Sequence, residues 1–347
     1  MKAFYADEQK RHDPKMFLSS GAPLPNPEQP ERVERLLLGA KAAGCEIVRP
    51  QAHGLAPISA VHTPEYLEFL EHIFERWQRI AGASEEVIPN IHPLARTGRY
   101  PASAVGQAGY HMADTACPIS AETWQSVCWS AWSAVEAAET VLGGAPAAYA
   151  LCRPPGHHAF ADVAGGFCFV NNSAVAAQHL RRSAARVAIL DVDLHHGNGT
   201  QGIFYARSDV LTISLHADPV RFYPFFWGHA DERGEGPGLG YNLNLPLPRQ
   251  SGDEEFLLAL GAAFRRIRAF SPDALVVALG LDAFEGDPFG GLSVTTPGFS
   301  RIGEAIAGLN LPTVIVQEGG YLCDALSDNL TAFLTAFLTA FGAGTGG

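Results

Sequence analysis

Asp191-Val192-Asp193-Leu194-His195-His196-Gly197 follows directly on the apolar run Val187-Ala188-Ile189-Leu190. A continuous apolar run of this length reads as a strand buried on both faces, the kind that builds parallel sheets. Side chains two apart on a strand share a face, so Asp191, Asp193 and His195 line one side of its end. Two carboxylates and an imidazole, without a thiolate, suit a divalent ion at a catalytic centre better than a structural one. The plainer alternative is a solvated acidic turn that happens to carry histidines.

The alternation of apolar runs and helical stretches extends along the 347 residues. Candidate strands are Lys2–Tyr5, Glu46–Arg49, Ala147–Cys152, Val187–Asp193, Val210–Leu215, Ala274–Gly280 and Thr313–Gln317. Candidate helices are Pro30–Ala43, Pro64–Ile80, Ala121–Leu142, Asn172–Ala185, Asp253–Phe270 and Thr296–Leu309. Asn171 or Asn172 can cap its helix, and Thr63-Pro64 and Thr296-Pro297 each read as a cap followed by a first-turn proline. The pattern predicts a doubly wound α/β domain with a parallel sheet, and no linker divides the chain. The longest irregular stretch is about 83–103, with prolines at 89, 93 and 101; a loop of that length inside a compact domain is usually functional or mobile. Leu330–Phe341 repeats Leu-Thr-Ala-Phe every four residues and reads as a terminal helix with one apolar face; Gly342–Gly347 is expected to fray.

A formal net charge of −12 argues against nonspecific nucleic-acid binding and is compatible with a cationic substrate. No apolar run approaches the roughly 20 residues that span a bilayer, and the start of the chain lacks the apolar core of a signal peptide. A cytoplasmic location is the expectation. The six cysteines, at 45, 117, 128, 152, 168 and 323, form no Cys-x-x-Cys pair and read as free core thiols of a reducing compartment.

In open parallel sheets ligands bind outside the carboxyl ends of the strands. Four apolar runs here end in unusual chemistry. Ala147–Leu151 leads to Arg153-Pro154-Pro155-Gly156-His157-His158, and Val187–Leu190 to the motif above. Ala274–Gly280 leads to Asp282, and Thr313–Gln317 to Glu318-Gly319-Gly320-Tyr321. Asp193, His195 and Asp282 make three metal ligands and leave room for water and substrate. His157 and His158 can supply a general base and then a general acid. Asp191 is free to orient one of them and Asn198 the other. Tyr321, after two glycines, can donate to a developing oxyanion. Taken singly, Asp282 could be a helix cap, the histidines one packed and one exposed, and Tyr321 an ordinary loop aromatic. No nucleophile elbow, Walker loop or early Gly-x-Gly-x-x-Gly occurs, and Gly286-Asp-Pro-Phe-Gly-Gly291 reads as a turn.

As a set, Arg153–His158, Gly165-Gly-Phe-Cys-Phe-Val-Asn-Asn172, Asp191–Gly199, Leu279-Gly-Leu-Asp282 and Glu318–Tyr321 resemble the zinc deacetylases. That family comprises histone deacetylases, deacetylase-like amidohydrolases and acetylpolyamine amidohydrolases, and the likeness is greatest to the bacterial acetylpolyamine amidohydrolases. It extends from Pro30-Glu31-Arg32 to Tyr321.

The resemblance implies a single α/β domain around an eight-stranded parallel sheet, the arginase-deacetylase fold, with an inserted loop at about 83–117 that dimerises and narrows the substrate channel. It implies zinc, with ferrous iron as the alternative, on Asp193, His195 and Asp282. His158 would be the general base, with His157 as its electrostatic partner. Asp191 would stand behind His157 and Asn198 behind His158, where many histone deacetylases carry Asp. Tyr321 would polarise the acyl carbonyl. Phe167 and Tyr223 would wall the tunnel, Phe17 would cap it and Asp114 would meet a cationic amine; Val105 stands where a second acid is expected. One structural potassium is implied near Asp191, Asp193, His195, Ser214 and Leu215, and another near Phe204, Arg207, Val210 and Tyr241.

The implied activity is hydrolysis of N-acetylated amines, acetylpolyamines first, to acetate and free amine by a homodimer. The alternatives are a lysine deacetylase or broad-scope amidohydrolase of the same family, a di-manganese ureohydrolase and a noncatalytic acetylamine-binding module. The ureohydrolase is disfavoured because Asp282-Ala-Phe284 lacks a second aspartate; the module is disfavoured because every catalytic residue type is present.

Overall fold

The computed structural model describes residues 1–344. Its strands, in chain order, are β1 (Lys2–Phe4), β2 (Met16–Ser19), β3 (Ala22–Pro25), β4 (Glu46–Val48), β5 (Ala147–Ala150), β6 (Val187–Asp191), β7 (Val210–Ala217), β8 (Asn242–Leu247), β9 (Ala274–Leu279) and β10 (Thr313–Gln317). Eight of them form one sheet in the order β4-β1-β5-β10-β9-β6-β7-β8. Every neighbouring pair in it is parallel. The sheet is therefore the all-parallel α/β type expected, and the four strands with unusual ends, β5, β10, β9 and β6, are contiguous at its centre.

The central strands are buried on both faces because both are covered. Leu275 and Val277 of β9, with Ile315 of β10, face the helices Glu31–Ala42 (α1), Asp253–Phe270 (α2), Thr296–Ala307 (α3) and Leu326–Gly344 (α4). Val276 and Val316 face the small side chains of Thr123–Leu142 and Asn172–Leu180, whose alanines let those helices lie close to the sheet. A third cluster joins Pro64–Trp77 to Val87, Ala108 and Met112, so part of the 83–117 segment is packed rather than free. Ala104–His111 within it is a helix, capped by the Ser103 hydroxyl.

β8 was not among the sequence-predicted strands. Its Asn-Leu-Asn-Leu-Pro-Leu run is half polar and holds Pro246, which a sheet tolerates at an edge, and β8 is an edge. The β2–β3 hairpin was missed for the same reason: it is short and mostly exposed. Asn171 caps its helix as expected. Thr296 does not: Thr295 is the cap, its hydroxyl accepting the Gly298 N–H, and the helix begins at Thr296. Thr63 occupies a cap position without a side-chain cap bond. The terminal helix continues through Gly342 to Gly344; of the expected frayed end, 345–347 lie outside the described residues. No helix among the described residues is long and apolar enough to cross a membrane.

The four-residue repeat of the tail acts through packing. Phe333 and Phe337 stack against one another and are fully buried against α3, where Gly303 lets the Phe333 backbone approach. Phe337→Ala is expected to cost about 3–5 kcal/mol of stability, read as a lowered midpoint in chemical denaturation.

Candidate metal centre and active site

Asp193, His195 and Asp282 come together. One ligand atom from each lies within 4.8 Å of the other two, and all three residues are buried. The two aspartates reach the same point from the ends of β6 and β9. His195 Nδ1 lies 3.0 Å from Asp282 Oδ2 and 3.4 Å from Asp193 Oδ1. Backbone donors take part of the remaining carboxylate capacity and leave lone pairs for an ion. Asp193 accepts from the N–H of His195 (2.8 Å) and of Gly319 (2.7 Å), and Asp282 from that of Leu194 (3.0 Å). Gly280 and Gly319 press against these carboxylates so closely that a Cβ at either position would overlap Asp193. Asp282 is no helix cap, since the next helix starts at Thr296.

The donor set fits a divalent cation. Buried carboxylates need a compensating charge, and no Lys or Arg pairs with either aspartate among the described residues. Burial and the neighbouring Asp193 push Asp282 above the ordinary carboxylate range. Burial opposes protonation of His195, yet its hydrogen bonds to Asp193 and Asp282 push it up to about 9. The cluster thus attracts positive charge at the point where the three donors converge. A second grouping, His157, Cys168 and Glu318, is also compact, but its donors are engaged otherwise. Glu318 accepts from the N–H groups of Gly156 and His157 and from the Ser173 hydroxyl. Burial keeps Cys168 a thiol.

The histidine pair stands beside the donors, both rings buried, with centroids 4.1 Å apart. His157 Nδ1 is 2.9 Å from Asp191 Oδ2, and His158 Nδ1 is 2.7 Å from Asn198 Oδ1. The partners split the pair electrostatically. Burial opposes a charge on His157, but Asp193 and Asp191 together raise its pKa well above the usual imidazole range. His158 is pushed well below that range by burial, then by His157 and His195. The surroundings thus favour charge on His157 and disfavour it on His158, a split of the kind that acid–base pairs use.

Tyr321 is 3% exposed. Burial first, then Asp282 and Asp193, hold its phenol protonated against the opposing pull of Arg32. The Arg32 guanidinium lies 4.9 Å from the ring centre and donates to the carbonyls of Gly320 (2.6 Å) and Glu318 (2.8 Å). Phe167 takes φ 68° in a tight turn closed by paired hydrogen bonds between Gly165 and Cys168. Its ring lies 5.8 Å from those of Tyr321 and Phe17. Gly166 is required beside it: a Cβ there would meet the His158 ring and the Tyr223 hydroxyl. Tyr223 stands perpendicular to His158 at 4.9 Å.

Asp114 reaches the site through the protein. Its carboxylate accepts from the Tyr223 hydroxyl (2.7 Å) and from the N–H groups of Gly166 (3.1 Å) and Ala116 (2.8 Å). Val105 packs against the cluster around Pro64–Trp77. Asp191 and Ser214 are register partners on β6 and β7, next to Leu215. Phe204 and Arg207 close the turn that enters β7 at Val210, and the Tyr241 carbonyl accepts from Thr212 at its far side. Sequence reasoning missed Phe222, whose ring stacks on His195 at 5.1 Å, and Phe289, which lies 4.7 Å from Tyr321. It also missed the bracing by Arg32 and Glu318. The charged pair sat in quoted motifs without a role; an aromatic in a loop carries no sequence signal of what it faces.

The chain matches the histone deacetylase domain model over residues 26–337. It is 49% identical over 333 residues to the acetylpolyamine amidohydrolase of Burkholderia pseudomallei (strain 1710b), covering 95% of this chain and 96% of that protein. It is 43% identical over 324 residues to the acetylpolyamine amidohydrolase of Mycoplana ramosa, covering 92% and 95%. Among solved structures, an acetylpolyamine aminohydrolase from Burkholderia pseudomallei superposes with a TM-score of 0.95 at 48% identity, covering 98% of this chain and 99% of that one.

Asp282→Ala leaves two donors and is expected to abolish stoichiometric divalent-metal content. His157→Ala leaves the donor set whole and is expected to retain it. Elemental analysis of the two purified variants checks both.

Proposed function

The chain belongs to the histone deacetylase domain family, and on that premise we propose that it hydrolyses N-acetylated amines, acetylpolyamines first, to acetate and free amine. The observation that carries the reading is the three-donor cluster, flanked by His157 on Asp191 and His158 on Asn198 and faced by the buried Tyr321 phenol. Near full-length likeness to two proteins named acetylpolyamine amidohydrolases supports the choice of amine.

Asp193, His195 and Asp282 would hold the ion, for which we assign zinc, with ferrous iron as the alternative. When bound, such an ion polarises a carbonyl and lowers the pKa of water towards neutrality. His158 keeps Nδ1–H on Asn198 and leaves Nε2 free to take the proton of the attacking water. His157, tied to Asp191, stays charged and stabilises negative charge developing nearby. Tyr321 donates its phenol proton as a hydrogen bond to the acetyl oxygen. The proton held by His158 then passes to the departing nitrogen. Phe167 and Tyr223, with Phe17 edge-on outside Phe167, admit a slender chain and exclude water.

We assign structural potassium to Asp191, Asp193, His195, Ser214 and Leu215, and to Phe204, Arg207, Val210 and Tyr241. The parallel register of Asp191 with Ser214 supports the first set. We further assign segment 83–117 to a homodimer contact and channel rim; exposed Ile91 and Leu94 support it. Location in the cytoplasm completes the reading.

Tyr321→Phe is expected to lower kcat by about 10²–10³-fold with metal content unchanged; near-normal turnover would refute the donor role. Acetylputrescine should be hydrolysed with higher kcat/KM than an acetyl-lysine peptide, and the reverse order would make the chain a lysine deacetylase. Asn198→Asp gives His158 an anionic partner, which raises its pKa. The base must be neutral to act, so the acid limb of the pH–rate profile should move to higher pH.

A further inference from the structure

The turn Gly286-Asp-Pro-Phe-Gly-Gly291 has no part in the chemistry above, yet it contributes a buried carboxylate and an aromatic ring to the site. We propose that Asp287 is a positioning residue that fixes the Tyr321 donor and the Phe289 tunnel wall to a single carboxylate. The proposal rests on the reading of Tyr321 as the carbonyl donor.

Asp287 is 6% exposed. Its Oδ2 accepts the backbone N–H of Tyr321 at 3.0 Å, and its Oδ1 accepts that of Phe289 at 2.9 Å. Its own N–H donates to the Phe284 carbonyl, and its carbonyl accepts from Gly290, so the carboxylate is itself held within the turn. The two residues it grips face the substrate path together. The Phe289 ring lies 4.7 Å from Tyr321, 5.3 Å from His195 and 6.3 Å from Phe167.

Both gripped residues adjoin glycine. Gly319 and Gly320 precede Tyr321, with φ 108° at Gly320; Gly290 and Gly291 follow Phe289, with φ 58° at Gly290. Glycine widens the backbone choices at each point, and the shared carboxylate removes them. Arg32 holds the Gly320 carbonyl from one side and Asp287 the next N–H from the other. Spacing between donor and wall is thereby set by the O–C–O geometry of one side chain. A displacement of about 1 Å at a reacting group can cost on the order of 100-fold in rate. Loss of Asp287 should therefore impair turnover and acyl selectivity together.

The test is a double-mutant cycle on the metal-loaded enzyme with acetylputrescine. Asp287→Ala should lower kcat by about 10–100-fold with a smaller change in KM, unchanged metal content and an increased rate on butyryl relative to acetyl amide. Asp287→Asn keeps one good acceptor and turns an amide N–H₂ towards the other donor, so it should fall between wild type and alanine. In the Tyr321→Phe background the alanine substitution should cost less than about twofold in kcat, because its effect on kcat acts through the phenol, while the butyryl-to-acetyl shift, which acts through Phe289, should persist. If Tyr321→Phe is impaired and Asp287→Ala multiplies the loss in full, Asp287 is merely structural and the proposal is overturned. If Tyr321→Phe keeps near-normal turnover, the donor reading itself fails, which is a separate outcome. Asp287→Asn, which preserves volume, carries the same cycle where the alanine variant does not fold.

Discussion

The hydrogen bond from the Gly319 N–H to Asp193 Oδ2 is the contact on which the site depends. It ties the end of β6 to the end of β10 across the intervening β9, and it does so at a carboxylate that also belongs to the donor cluster. Glycine at 280 and 319 is what lets the three chain segments close to that distance. A carboxylate held by a backbone N–H on each oxygen has little rotational freedom left, so its geometry is set by the sheet while lone pairs stay open. Function is thus built on rigid strand ends, which is how parallel sheets present chemistry.

Beneath this layer lies a buried ionic core. Glu28, fully buried, accepts from Arg32 at 2.6 Å and pairs with the Arg153 guanidinium at 2.9 Å. Arg32 braces the carbonyls under Tyr321, and Arg153 begins the turn that carries both histidines. Glu318 accepts two N–H groups of that same turn. The Glu28 carboxylate is thus shared by two guanidiniums, whereas the Glu318 carboxylate meets only N–H and hydroxyl donors and is pushed up to about 7 by burial. A buried pair of this kind contributes little net stability, while removing one member is costly; its value lies in locking the histidine turn and the Tyr321 loop to one point near the start of the chain.

The division of labour between His157 and His158 has a simple electrostatic origin. Both are equally buried, so desolvation disfavours charge on each. Asp191 and Asp193 overcome it for His157. Asn198 offers His158 only a neutral acceptor, and the charge on its neighbour adds repulsion. Adjacent residues of one type are therefore biased towards different protonation states, by two carboxylates at His157 against one amide at His158.

Much of this was legible in the linear chain. Seven of the eight sheet strands were marked, the central ones most clearly because strands covered on both faces must be apolar throughout, and the residue types at four strand ends suggested the chemistry. Asp193, His195, Asp282, both histidines with Asp191 and Asn198, and Tyr321 all stand in the motifs that the sequence offers, and the fold gathers them at one place. The edge strand β8 was hidden because an edge tolerates polar residues and proline. Phe222, Phe289 and Asp287 were hidden because what a loop side chain faces depends on where the loop returns. For Asp114 the resemblance implies contact with a substrate amine, and only the fold shows that its carboxylate also accepts from Tyr223 and two backbone N–H groups. Sequence by itself determined the fold class and named the candidate reacting groups, since both follow from local pattern and residue type. Only the tertiary structure decided which strand ends are adjacent, which carboxylates are already engaged and which histidine carries the charge. Those depend on distances between segments over a hundred residues apart, as between Asp193 and Gly319.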